Sequence, residues 1–433
     1  MSGAARHSEE PRFPAAASEA LGTAATPEDG RQRVFIEAIA PVVDGGEYAV
    51  KRTLGDTVTV SADLVADGHD VLAGEVLVRR PDQPEPYLVV PLELQANQRY
   101  SARFDVDTLG LWQYTLQAWV DGFASWRRGL SRKLEAKQDV HVELLEGAAL
   151  VSSAARSARG RDRESLEQAA RQLARTDLSS DQRAQAALAP ELSALMAAHP
   201  DRSRAKRIER WLPIWVDRER ARFGAWYEMF PRSTGPEGKH GTFETSRALL
   251  PYIAGLGFDI LYLPPIHPIG TTFRKGKNNQ PSAMPGDVGS PWAIGGSAGG
   301  HKAVHPELGT LEDFDRFASA AREHGLELAL DIALQVTPDH PYVKEHPEWF
   351  KRRPDGSIQY AENPPKKYQD IYPFDFDSEA WWSLWIELRS IFEFWMDRGV
   401  RIFRVDNPHT KPLRFWHWCI AELRRKDPNL IFL

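Results

Sequence analysis

The segment GVRIFRVDNPHTKP, Gly399 to Pro412, sets Arg404, Asp406, Asn407 and His409 at the exit of a β-branched run. A strand that only fills a core has no use for four polar groups at its end. A carboxylate in that place can serve as nucleophile, base or metal ligand, and Asp406 is the residue that fits. Arg404, two residues earlier, shares its strand face and can hold the carboxylate ionised and oriented. The plain alternative is an ion pair at a rim, which the spacing allows equally.

The strand carrying these residues is one of several. RFGAWYEMFPR, GFDILYLPP, GLELALDIALQ, GVRIFRVDN and NLIFL follow one another as strand candidates from Arg222 onward. Helical patterns lie between them. Thr310 with Asp313 predicts a capping box before Leu311, Phe314, Phe317 and Ala321, and Gly325 supplies the stop. Asp377 or Ser378 is expected to cap a second helix, whose stripe of Trp381, Trp385, Leu388, Phe392 and Trp395 ends at Gly399. Such alternation argues for parallel strands covered by helices, in a doubly wound sheet or a (β/α)8 TIM-type barrel. No Gly-rich phosphate loop follows any of these strands, which counts against a nucleotide-binding sheet. Barrels keep their chemistry at the C-terminal strand ends, where LPPIHPIG, DIALQ and RVDNPH place polar side chains.

Upstream, residues 33–147 read as a β-sandwich of about seven strands, from period-two segments such as DTVTVSADLVADG, GEVLVRRP, ARFDVDTLGLWQYTLQAWVDG and QDVHVEL. Trp112, Tyr114, Trp119 and Trp126 are expected in its core rather than on a sugar platform. Residues 148–216 read as a helical module, 217–433 as the barrel, and 1–32 as a disordered tail. The chain of 433 residues is 42% hydrophobic and carries a net charge of −6, so neither nucleic acid nor membrane is an expected partner. The fifteen basic residues between Val151 and Arg222 are offset by ten acidic ones, which favours a solvated helical face or an oligomer contact. Cys419 is the sole cysteine and is expected as a core thiol, which suits a reducing, cytoplasmic compartment.

GVRIFRVD resembles the nucleophile motif that ends the fourth barrel strand in the α-amylase superfamily (glycoside hydrolase family 13). With PPIHPIG, FRKGKNN, PWAIG, HPELGTLEDF, DIALQVTPDHP and ENPPKKYQDIYP, the chain is similar to the maltosyltransferases that extend α-1,4-glucans with maltose 1-phosphate. The resemblance runs from the sandwich to the last residue. It implies a retaining double displacement in α-glucan biosynthesis, with Asp406 as nucleophile and Arg404 orienting it. Asp331 and Gln335 correspond to the superfamily's first conserved region, although typical amylases have Asn and His where this chain has Gln335 and Val336. The resemblance further implies that Lys275, Gln335 and Asp370 contact the maltosyl group, while Asn363, Tyr368 and Asn407 donate to the phosphate. Lys366 and Lys367 add positive potential, and Trp292 either stacks on a sugar or anchors a loop. Residues of about 336–372 form a lid-like insertion. Its His340, His346 and Asp339 lack metal-ligand spacing, so no metal and no cofactor is expected.

By the same resemblance, the general acid and the last three barrel strands lie beyond Leu433, so the chain alone is expected to be inactive and poorly stable. The full-length protein is expected to be a homodimer. Two other readings remain: an α-glucan hydrolase or branching enzyme with the same nucleophile, and a non-catalytic glucan-binding protein.

Overall fold

The computed structural model describes residues 29–83 and 85–433; most of the expected tail lies outside the described residues. Two compact units are present, one of residues up to Tyr48, Thr59–Phe104 and Gln113–Pro213, the other of Ala49–Val58, Asp105–Trp112 and Ile214–Leu433.

In chain order the first elements are β1 (Val34–Ala40), β2 (Val50–Thr53), β3 (Thr57–Ala66), β4 (Leu72–Arg79), β5 (Leu88–Pro91), β6 (Glu93–Ala96), β7 (Arg99–Asp105) and β8 (Gly110–Val120). One sheet runs β1-β3-β7-β6, with β1 antiparallel to β3 and β6 to β7, and β4 pairs antiparallel with both β5 and β8. Alternation drives this burial: Val58, Val60, Ala62 and Leu64 of β3 face inward between more exposed neighbours. The Tyr100 hydroxyl of β7 donates to the Leu72 carbonyl of β4 at 3.4 Å, tying one sheet to the other. Trp112, Tyr114 and Trp119 are buried as expected, and half-buried Trp126 lies against Gly147, where any Cβ would meet its ring.

Two sequence-based boundaries shift here. Helix α1 (Gly122–Glu135) and helix α2 (His141–Ser157) both begin inside the stretch assigned to the sandwich, so QDVHVEL is not a strand. Its alternation spans only a few residues, whereas Val140, Leu144, Ala148, Val151 and Ala155 recur at helical spacing and are all buried. The Asp121 carboxylate caps α1 by accepting from the Ala124 N–H. Helices α3 (Gly160–Ala174), α4 (Ser180–Ala187) and α5 (Pro190–Ala198) complete the module, and Leu144, Val151, Leu166 and Leu173 are fully buried in its core. The module then gives way to strands, β9 (Lys206–Arg207) and β10 (Leu212–Asp217), earlier than the expected boundary at residue 216.

The second unit contains β11 (Trp226–Glu228), α6 (Phe243–Arg247), α7 (Leu250–Gly255), β12 (Ile260–Leu263), α8 (Leu311–Glu323), β13 (Glu327–Ile332), β14 (Gln335–Val336), α9 (Pro341–Glu345), β15 (Ala361–Asn363), β16 (Lys366–Tyr368), β17 (Tyr372–Pro373), α10 (Trp381–Asp397), β18 (Ile402–Val405), α11 (Leu413–Lys426) and β19 (Ile431–Phe432). Strands β11-β12-β13-β18-β19 form one sheet in that order, every pairing parallel, and each falls in a segment read as a strand from sequence.

One sheet face packs against the helices through Leu261, Leu263, Leu330 and Phe403, together with Phe314, Leu388 and Trp395. Ile260, Ala329, Ile402 and Ile431 gather on the other. The period of two continues this second face to Tyr262, Asp331, Arg404 and Asp406, so polar side chains succeed the apolar layer towards the C-terminal ends.

Helix α8 starts with the expected capping box and stops in a Schellman turn, with Gly325 at φ +74° and the Leu326 N–H on the Ala321 carbonyl. Helix α10 departs from expectation at its start. Its N-cap is Ala380, whose own side chain makes no cap, and the expected Ser378 lies two residues earlier, its hydroxyl accepting from the Ala380 N–H at 3.1 Å and donating to the Glu348 carbonyl at 2.7 Å. Trp381 is 44% exposed, so the apolar stripe reaches the core only from Trp385 onward.

Candidate active site

Asp406 follows β18 directly, and its backbone N–H bonds the Ile332 carbonyl at 2.9 Å, which keeps the strand exit alongside β13. Register places Asp331 of β13 beside Arg404 of β18. One guanidinium nitrogen of Arg404, Nη1, donates at 2.8 Å to Asp406 Oδ1 and at 2.8 Å to Asp331 Oδ2. The arginine is therefore bridged between two carboxylates rather than paired with one.

Asp331 has no exposed side-chain surface, and burial pushes its carboxyl up despite the Tyr262 hydroxyl, the Arg404 charge and the Trp292 indole N–H at 3.3 Å. Partial burial pulls the Arg404 guanidinium down, but Asp331 and Asp406 more than offset this and hold it above its ordinary value. Burial first, and then Asp331, push the Tyr262 hydroxyl up, so it remains a donor at any working pH.

Asn407 takes a left-handed conformation, φ 48° and ψ 55°, that asparagine tolerates better than most residues. Its amide donates to Asp406 Oδ2 at 2.9 Å, so each carboxylate oxygen of Asp406 is held by a different donor. The same turn brings back Lys411, only 8% exposed, whose ammonium donates to the Asn407 carbonyl at 3.3 Å. Burial lowers the Lys411 pKa to about 8, with the Asp406 charge opposing.

Beside this turn lies a cleft of about 460 Å³ lined by Gln335, Asn363, Tyr368, Asn407, His409 and Lys411, among others. Four of the residues expected to bind substrate are thus brought together from segments far apart in sequence. The β14–β17 pairing, Val336 with Tyr372, closes the base of the inserted segment, and the β15–β16 hairpin presents Asn363 and Tyr368. Lys366 and Lys367 are exposed on that hairpin.

Lys275 and Asp370 are not among the cleft's lining residues. Asp370 is buried with one oxygen unpartnered; burial raises its carboxyl, and the Lys275 charge acts against the rise. Trp292 is engaged as a loop anchor: its carbonyl accepts from the Gln335 amide at 3.1 Å and its ring meets Phe230 edge-on. Sequence reasoning did not single out Tyr262 or Lys411. Tyr262 sits two residues after Ile260 on one strand face, a signal available in principle, but the burial of Lys411 is not local information.

Three histidines lie nearby in the same unit. His267, His301 and His340 are each 1% exposed, with neighbouring rings 5.7 and 5.3 Å apart. Gly295 and Gly300 pack so closely on His340 that a Cβ at either would fall 2.1 or 2.0 Å from its ring. Burial lowers the pKa of all three to about 3. His340 Nδ1 accepts from the Tyr342 N–H, so a second ring proton would point at a donor. Asp339 is occupied by Thr271 and Thr272, and His346 stacks on Trp349 at 3.9 Å, so these residues of the insertion do not converge. His240, His305 and Glu307 do lie close together; burial lowers the His305 pKa, with the His240, Arg274 and Arg232 charges acting the same way and Glu307 opposing.

Parallel β/α units with an arginine bridging two carboxylates at the strand exits define an α/β protein whose polar chemistry gathers at one end of its sheet. Residues 32–218 match the family model described as alpha-1,4-glucan:maltose-1-phosphate maltosyltransferase, domain N/S. Proteins of that name from Chlorobaculum tepidum and Myxococcus xanthus are 49% and 52% identical over 408 residues, covering 94% and 92% of this chain. One from Mycobacterium tuberculosis is 47% identical over 432 residues. The chain is similar to these maltosyltransferases over nearly all of its own length and spans about three fifths of theirs, 60% and 61% for the first two. Among solved structures, an α-amylase from Lactobacillus plantarum is similar at TM-score 0.41 and 30% identity, over 49% of this chain and 45% of its own.

Proposed function

We propose that this site serves the transfer of maltose from maltose 1-phosphate to the non-reducing end of an α-1,4-glucan, with retention of configuration. The observation that carries the reading is the Asp331–Arg404–Asp406 bridge beside a cleft lined by Asn363, Tyr368 and Asn407. Asp406 attacks C1 of the maltosyl unit, the C1–O bond to phosphate breaks, and the electron pair leaves with the phosphate. The 4-hydroxyl of the glucan then attacks C1, releasing Asp406 as a carboxylate and its own proton to a base.

Arg404 sets a positive charge beside Asp406 and orients one of its oxygens, and the Asn407 amide aims the second. The amides of Asn363 and Asn407 and the phenol of Tyr368 are neutral donors, suited to a group that must depart. Lys275, Gln335 and Asp370 hold the sugar in this reading. A cytoplasmic role in α-glucan synthesis and a homodimeric full-length protein accompany it. Among the described residues no helix is long and apolar enough to cross a membrane.

The test is phosphate release from maltose 1-phosphate with a glucan acceptor, using the full-length gene product. Asp406→Ala is expected to reduce kcat by at least about a thousandfold, as loss of a covalent nucleophile does. Full activity in that variant would refute the nucleophile assignment.

A further inference from the structure

The cleft holds a cation to which the steps above assign no role. Lys411 lines it together with Asn363, Tyr368 and Asn407, yet is only 8% exposed. Its ammonium has three donor hydrogens, and among the described residues it makes one hydrogen bond, 3.3 Å to the Asn407 carbonyl. No carboxylate among the described residues lies within ion-pair distance of it. A buried ammonium is costly when unpaired, so a structural lysine would be expected to have a carboxylate partner. Lys411 instead lines the cleft with two of its three donor hydrogens unbonded among the described residues. The other basic lining residue is His409, whereas Lys366 and Lys367 are solvent-exposed on the hairpin.

We propose that Lys411 determines specificity by recognising the dianionic phosphate of the sugar donor and stabilising the charge that phosphate gains as it leaves. The choice of ligand rests on the transferase reading. When the C1–O bond breaks, an electron pair moves onto a phosphate oxygen, and a preorganised, poorly hydrated ammonium favours that movement more than the neutral amides can. Burial holds the Lys411 pKa at about 8, so the group is mostly cationic at neutral pH and gains most from an incoming anion.

The experiment titrates inorganic phosphate and, separately, maltose into the wild-type protein, Lys411→Met and Lys411→Arg, by calorimetry. Loss of about tenfold or more in phosphate affinity in Lys411→Met is expected, with maltose affinity unchanged and phosphate binding largely kept in Lys411→Arg. Equal phosphate binding by Lys411→Met and wild type would overturn the inference. So would an equal loss of maltose binding, because Lys411 would then act only through the Asn407 turn. Phosphate release from maltose 1-phosphate by the full-length protein is measured alongside. Its absence while phosphate binding still depends on Lys411 would count against the transferase reading and leave the anion site standing.

Discussion

At Arg404 a single nitrogen serves two carboxylates whose environments differ. The Asp331 side chain is completely buried and that of Asp406 is 16% exposed, so the guanidinium offsets a buried charge and orients a more accessible one at once. Arg404→Gln is therefore expected to reduce kcat/KM at least about a hundredfold and to destabilise the fold by about 3 kcal/mol, because it strands a buried carboxylate. Asp331→Asn removes that charge. The double variant Asp331→Asn/Arg404→Gln should recover at least about 1 kcal/mol relative to the sum of the singles, read from urea midpoints. Strict additivity would show that the bridge is not an energetic unit. Two of the three members of this bridge were legible from residues alone: Arg404 and Asp406 share a face because they are two apart on a strand. The third member was not, since only strand pairing places Asp331 opposite Arg404.

At the scale of elements, local signals decided most outcomes. Helix α8 begins where Thr310 accepts from the Asp313 N–H at 3.2 Å and Asp313 accepts in return from the Thr310 N–H at 2.8 Å. Thr310→Ala should cost about 1 kcal/mol in unfolding free energy, and no measurable shift in the urea midpoint would mean that tertiary packing alone sets this helix start. Where local signals misled, they were short or ambiguous. VHVEL alternates for five residues, but its burial follows the longer helical period that carries on through Ala155. Trp381 continues the stripe of α10 by spacing, yet lies in the first turn and is 44% exposed. Ser378 was a reasonable cap by type, and its hydroxyl does accept from the Ala380 N–H at 3.1 Å, but it also donates to the Glu348 carbonyl, thirty residues away in sequence.

At the scale of the molecule, the second unit encloses a set of histidines that cannot take up protons while folded. His267, His301 and His340 have folded pKa values of about 3, against an ordinary 6.5. The unfolded chain binds protons there that the native state refuses, so the stability these groups contribute is complete above pH 6.5 and is lost as pH falls towards 3. Between pH 7.5 and 5.5 the three together should remove about 3 to 4 kcal/mol, read as a falling urea midpoint. An unchanged midpoint over that interval would show that the imidazoles protonate within the fold. Periodicity, caps and the Arg404–Asp406 spacing are properties of neighbouring residues, so the sequence by itself determined the parallel β/α order, most element ends and the central carboxylate. Burial and pairing depend on segments brought in from far along the chain. Only the tertiary structure therefore decided that Asp331 is the second carboxylate, that Asn363 and Tyr368 reach the cleft beside Asn407, and that Lys411 is a buried cation facing it.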